Sequence, residues 1–158
     1  MISYAVPEGS RFVQIRFMAS DGSVSDLPPG RPVVHASLRY DPDHGNGART
    51  ISGFKTLYAL VDTGADHNYA SPELIADIGC PQIGTTRVRT ASGWVDSTQH
   101  LAHIFLPEVG QQYETDIFSS PLVDEGELGQ HLIIGVLVIR MGRLVMDFQS
   151  NVYRLYVS

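Results

Sequence analysis

Apolar residues along most of this chain recur at every second position and only briefly at helical spacing. That period commits the backbone to sheet, because successive side chains of a strand face opposite sides. Residues 11–18 (RFVQIRFM) read as a first strand and residues 32–40 as a second. Between them Gly22, Pro28, Pro29 and Gly30 block ladder pairing and predict turns across residues 20–30. Residues 41–47 (DPDHGNG) predict the tip of a long hairpin. It returns along residues 56–61, a run apolar enough to be buried on both faces. The pattern resumes at 86–90, from 94 onward, at 101–106 and at 113–118. Residues 123–130 predict an acidic, glycine-containing loop, and residues 131–139 a strand that turns into a brief helix after Gly135. Residues 143–148 and 152–157, around Gln149-Ser150-Asn151, predict a closing hairpin.

One helix is well specified. Ser71 suits the N-cap, Pro72 the first helical position, and Glu73 complements the positive end of the helix. Leu74, Ile75 and Ile78 supply an apolar face, Gly79 fits the C′ position and Pro81 ends the element. The expected fold class is therefore all-β, mainly strand with one or two short helices. The expected organisation is a single domain over residues 31–158. Residues 1–30 would form an N-terminal extension, an extra strand plus the Pro/Gly loop.

Composition narrows the function classes. A chain of 158 residues predicts one domain, burying about two thirds of the surface its unfolded form exposes. No apolar run approaches the ~20 residues needed to span a bilayer, so no membrane association is expected. The first eight residues lack the basic segment and apolar core of a secretion signal. Cys80 is the one cysteine, which excludes an internal disulfide scaffold and favours a reducing compartment. The 11 basic residues are scattered and the net charge is −6, so the footprint of a nucleic-acid binder is missing. The expectation is a soluble, cytoplasmic protein.

Chemistry concentrates at Leu60-Val61-Asp62-Thr63-Gly64-Ala65-Asp66. A carboxylate directly after a buried strand is an unusual choice, because an unpaired charge beside a core is costly. Gly64 and Ala65 let backbone N–H groups approach the Asp62 carboxylate. The plain alternative is a strand-to-helix turn in which Asp62 accepts backbone hydrogen bonds as an Asx-type cap; on this segment alone the two are evenly balanced.

The wider sequence resembles a known family. Residues 59–65 are similar to the catalytic-loop signature of the retroviral-type (retropepsin-like) aspartic proteases. About seventy residues on, Leu132-Ile133-Ile134-Gly135 resembles that family's second signature, two bulky aliphatics and a glycine. Residues 142–148 resemble the strand that follows it. Thr90-Ala91-Ser92-Gly93-Trp94-Val95 occupies the place of the family's flap hairpin. The resemblance covers residues 31–157 and implies an acid-protease barrel that hydrolyses peptide bonds. The chain holds one Asp-Thr-Gly and no second Asp-[Thr/Ser]-Gly, hence half of such an active site. By that resemblance the active species is a two-fold homodimer acting on a peptide or protein substrate, with no cofactor and no metal. Asp62 would be the catalytic residue, with Thr63 bonding across the axis and Gly64 offering its carbonyl to substrate. Ala65 and Asp66 would line the cleft. Gly93 would lie near the flap tip, where positive φ favours glycine, Ser92 beside it would also bind substrate, and Trp94 would pack over bound peptide. Gly135 would let its strand pass close beneath the catalytic loop, with Ile133 and Ile134 as the floor and Ile134 contributing to substrate binding.

The departures from the family pattern are specific. Val136 and Leu137 stand where many members carry a basic and then an acidic or amide residue, so Asp66 lacks its usual partner unless Arg140 or Arg143 reaches it. The flap is also poorer in glycine. The missing pair after Gly135 motivates one competitor, an inactive module of the same fold that binds peptide or serves assembly; another is a small β-barrel that binds a ligand or another protein and matches the motifs by chance. His100 and His103 stand three apart, on opposite faces of a strand, and are expected to be hydrogen-bonded or exposed rather than metal ligands. His67 reads as a half-exposed polar residue or a subsite contact. Cys80 reads as a small buried filler. Met141 and Met146 read as core or interface fillers, and residues 124–127 as a solvated loop.

Overall fold

The structure is a computed structural model that describes residue 6 and residues 9–44, 53–91, 93–120 and 131–157. The hairpin tip beyond His44 and the acidic stretch 121–130 lie outside the described residues. Among the described residues, twelve strands and two short helices follow one another. The strands are β1 (Arg11–Gln14), β2 (Arg16–Met18), β3 (Val24–Ser25), β4 (Arg31–Tyr40), β5 (Gly53–Val61) and β6 (Asn68–Ala70). After helix α1 (Pro72–Ile78) come β7 (Gln82–Thr90), β8 (Gly93–Leu106), β9 (Gln111–Ser119) and β10 (Leu132–Ile134). Helix α2 (Val136–Ile139) precedes the closing hairpin β11 (Gly142–Asp147) and β12 (Val152–Val157).

The large sheet runs β3-β2-β4-β5-β10-β6-β9-β8-β7, and an added β4–β8 pairing closes six of its strands into a barrel. Closure removes open edges from those strands. Val34, Ala36, Leu38, Ala102, Ile104 and Ile117 are fully buried and fill it. The fold is all-β, as its period-two pattern predicts.

Two details depart from the sequence reading. Residues 11–18 are not one strand. Val13, Ile15 and Phe17 keep a single buried alternation, yet the chain changes sheets between β1 and β2. β1 pairs with β12 and β2 with β4, while the Ile15 N–H donates to the Tyr153 carbonyl at 3.1 Å. Alternation fixes which side chains are buried and is blind to which neighbour receives the ladder. Nor is the 56–61 run buried on both faces. Ala59 and Val61 are buried, whereas Tyr58 and Leu60 are half-buried on the outer side.

Helix α1 forms as its caps dictate. Ser71 Oγ accepts the Leu74 N–H at 3.2 Å, Gly79 takes φ +78° at the C-terminus, and Leu74, Ile75 and Ile78 are buried. In the β7–β8 hairpin Thr90 pairs with Gly93, which adopts φ +117°.

Candidate active site

Strand β5 ends by delivering Asp62 into the loop of residues 62–67. Strand β10 is inserted between β5 and β6, parallel to the first and antiparallel to the second. The loop therefore arches over the end of β10 and is tied to it at both feet. The Asp62 N–H donates to the Ile134 carbonyl at 3.0 Å, and the Val136 N–H donates to the Ala65 carbonyl at 2.8 Å. Gly135 is the pivot of this arch. A Cβ there would collide with the backbone carbonyl oxygens of His67 and Ala65, which is the close passage beneath the loop that the sequence led us to expect.

Within the loop, the Gly64 N–H donates to Asp62 Oδ1 at 2.9 Å and the Ala65 N–H donates to the Asp62 carbonyl at 3.2 Å. The Asx-type bond of the plain reading is thus present. It also fixes one carboxylate oxygen and leaves the other free to act. Asp62 and Ala65 are half-buried, whereas Thr63, Gly64 and Asp66 are exposed.

Asn68 was not anticipated. It is fully buried, and its Oδ1 accepts the buried Gly135 N–H at 2.9 Å. Its Nδ2 donates to Thr115 Oγ1 at 2.9 Å, and that hydroxyl donates onward to the Asp116 carbonyl at 3.0 Å. Because the hydroxyl proton is committed to Asp116, the orientation of the Asn68 amide is determined. The residue clamps the foot of the arch to β9. Its only trace in the sequence is an asparagine, a poor strand former, placed two residues after Asp66.

A hollow of about 370 Å3 opens over the loop. Its lining includes Asp62, Gly64, Ala65 and Asp66 of the loop, Tyr69 of β6, Ile133 of β10 and Ser120. Arg89 and Ala91, from the β7–β8 hairpin, also line it. Burial first, and then the charges of Asp66 and Asp62, push the Tyr69 phenol above its usual range, so it remains a neutral hydroxyl there.

The sequence-predicted residues distribute unevenly around this hollow. Asp62, Gly64, Ala65 and Asp66 meet in it. Ile134 does not: it is fully buried, and its neighbour Ile133 faces the hollow instead, because adjacent residues of a strand point to opposite sides. Trp94 is 60% exposed and stands outside the lining, beside Arg87, whose guanidinium lies 5.8 Å from the ring centroid. Its cross-strand partner Arg89 reaches the hollow. Ser92 lies outside the described residues.

Among the described residues no ion pair joins Asp66 to Arg140 or Arg143. Arg140 opens instead onto a separate hollow with Leu137 and Met141. His67 is half-buried and packs its ring 4.6 Å from Phe118. His100 bonds the Cys80 carbonyl and Thr98 Oγ1 at 2.9 and 2.8 Å, and His103 is buried and hydrogen-bonded at both nitrogens. Cys80 is buried and desolvation pushes its thiol up to about 11, the state of a core filler.

No protein-family model and no curated protein matches the sequence. In three dimensions the chain is similar to a retropepsin-like aspartic protease from Rickettsia conorii. The TM-score is 0.52 at 14% identity, covering 99% of this chain and 98% of that one. The fold is retropepsin-like. At that identity the likeness establishes the architecture, and function has to be argued from the site on the retropepsin-like scaffold.

Proposed function

We propose that this protein is an aspartic endopeptidase whose active form is a homodimer, with one Asp62 carboxylate from each subunit activating a water between them. The observation that carries this reading is the placement of Asp62. Asp62 is half-buried on the arched loop, lines a hollow together with residues of the β7–β8 hairpin, and has one carboxylate oxygen held by the Gly64 N–H.

The chemistry follows from pairing. Two carboxyl groups about 3 Å apart cannot both ionise, so the pair shares one proton and titrates as a unit. The ionised member takes a proton from water as that water attacks the peptide carbonyl, and the protonated member donates to the carbonyl oxygen. The fixed Oδ1 of each Asp62 keeps the groups oriented before substrate arrives. Thr63, exposed at the tip of the loop, would bond to its counterpart across the two-fold axis. In this reading the substrate is a peptide or protein segment, no cofactor is required, and the lone buried thiol suits the cytoplasm.

A second reading is a retropepsin-fold module that binds peptide or supports assembly without cutting. It is favoured by Val136 and Leu137 after Gly135 and by Asp66 standing free of Arg140 and Arg143. Digestion of a peptide library beside the Asp62→Asn protein, together with sedimentation, separates the two. Cleavage that vanishes in Asp62→Asn, from a dimer, supports the endopeptidase. A strict monomer at high concentration that cuts nothing supports the module.

A further inference from the structure

We infer that the hollow selects peptides carrying an acidic side chain beside the scissile bond, and that Arg89 reads it. This rests on the endopeptidase reading for its kinetic readout. The β7–β8 hairpin carries two arginines, Arg87 and Arg89, two positions apart and therefore on one face of the ribbon. Their circumstances differ. Arg87 lies directly across from Asp96, Nε to Oδ1 at 3.8 Å, and it rests beside the Trp94 ring. Arg89 has no carboxylate within ion-pair distance among the described residues, and it is the one that lines the hollow containing Asp62.

The lining thus carries opposite charges: Asp62, Asp66 and Arg89 border the same hollow of about 370 Å3, and among the described residues no ion pair joins Arg89 to either carboxylate. A guanidinium presents a planar fork that a carboxylate engages with two hydrogen bonds. Once a peptide covers it and excludes water, that contact strengthens. Asp62 and Asp66 repel an acid pointing at them, so only an acidic side chain pointing at Arg89 is accepted. Alternate residues of an extended peptide point in opposite directions, so the neighbour facing Asp66 is neutral or basic. The hollow reads the order of charges along the peptide rather than their sum, and Ala91 at the tip is small enough to leave Arg89 room.

The test is a set of peptides identical except for Glu, Gln or Lys at each position flanking a cleaved bond, digested by wild-type, Arg89→Gln and Arg89→Glu proteins. Ratios are compared within each protein, so a general loss of rate does not blur the result. Wild type is expected to cut the Glu peptide roughly tenfold more efficiently than the Gln peptide at one flanking position, equivalent to about 1.4 kcal/mol. Arg89→Gln should lose that ratio, and Arg89→Glu should prefer Lys. Equal rates for Glu and Gln in wild type, or a Glu preference that survives in Arg89→Glu, would overturn the inference and leave the endopeptidase reading intact. If no peptide is cut, the endopeptidase reading fails. Titrating the Glu and Lys peptides against wild type and Arg89→Glu, with Trp94 fluorescence as the signal, then decides the charge reading by itself. Reversal of affinity supports it and identical affinities sink it.

Discussion

Two polar clusters stand at opposite ends of the β4–β5 hairpin. At one end Asp62 leaves β5, beside the Val33–Leu60 pair; at the other Asp41 leaves β4, beside the Tyr40–Gly53 pair. The Asp41 end is closed. His103 is 1% exposed, its Nδ1 accepts the Asp41 N–H at 3.0 Å, and its Nε2 lies 3.2 Å from Glu114. Gln112 donates to Asp41 Oδ2 at 2.8 Å and lies 2.9 Å from His44 Nδ1. The Asp62 end is open: one carboxylate oxygen is held, and Asp66, Tyr69 and Arg89 face the same empty space. At the Asp41 end these polar groups find partners within the fold, Gln112 Oε1 excepted. Groups left facing a hollow are free to meet a ligand.

The largest effects should fall at the open end. Asp62→Asn should abolish hydrolysis, by roughly a thousandfold or more, while melting temperature and sedimentation stay near wild type. Retained activity in that protein would remove the basis for the contrast. Gly135→Ala should cost about 3 kcal/mol or more of stability, since its Cβ meets two backbone carbonyls; a denaturant melt within 1 kcal/mol of wild type (about the error of such a comparison) would show that the arch is looser than described.

Asn68→Ala should be milder, about 1–3 kcal/mol, by leaving the buried Gly135 N–H without its acceptor. Amide exchange at Gly135 should accelerate as well, and unchanged protection would remove Asn68 from the clamp. Activity should peak on the acid side of neutrality, because one of two coupled carboxyls must keep a proton; a rate still rising at about pH 9 is incompatible with the shared-proton pair.

The smallest effect belongs to the closed end. Burial, outweighing the pull of Glu114 and Asp41, holds His103 below its ordinary value of 6.5. The unfolded chain therefore binds more protons than the folded one as pH falls through that value, and stability declines on acidification. His103→Gln should flatten this slope in melts at pH 5 to 8. The same slope in both proteins would place the acid sensitivity elsewhere.

Much of this was legible from local chemistry. Ser71, Pro72 and Gly79 announce α1 through caps that act within a few residues. The arched loop at Asp62-Thr63-Gly64-Ala65 and the close approach at Gly135 were expected from the family resemblance rather than from local chemistry. What escaped was non-local. The change of sheets at Ile15 leaves the alternation untouched. The choice of Ile133 over Ile134 depends on the phase of β10 against two strands distant in sequence. Asn68 matters only because Gly135 and Thr115, far along the chain, come to its two ends.

The amino-acid order by itself settled the period, the caps and the carboxylate at the end of a buried strand, all properties of neighbours in the chain. Only the folded barrel decided that β10 would slide between β5 and β6, and that Arg89 would line the same hollow as Asp62. Backbone periodicity states that side chains alternate, but long-range pairing decides which side each one faces and what it finds there.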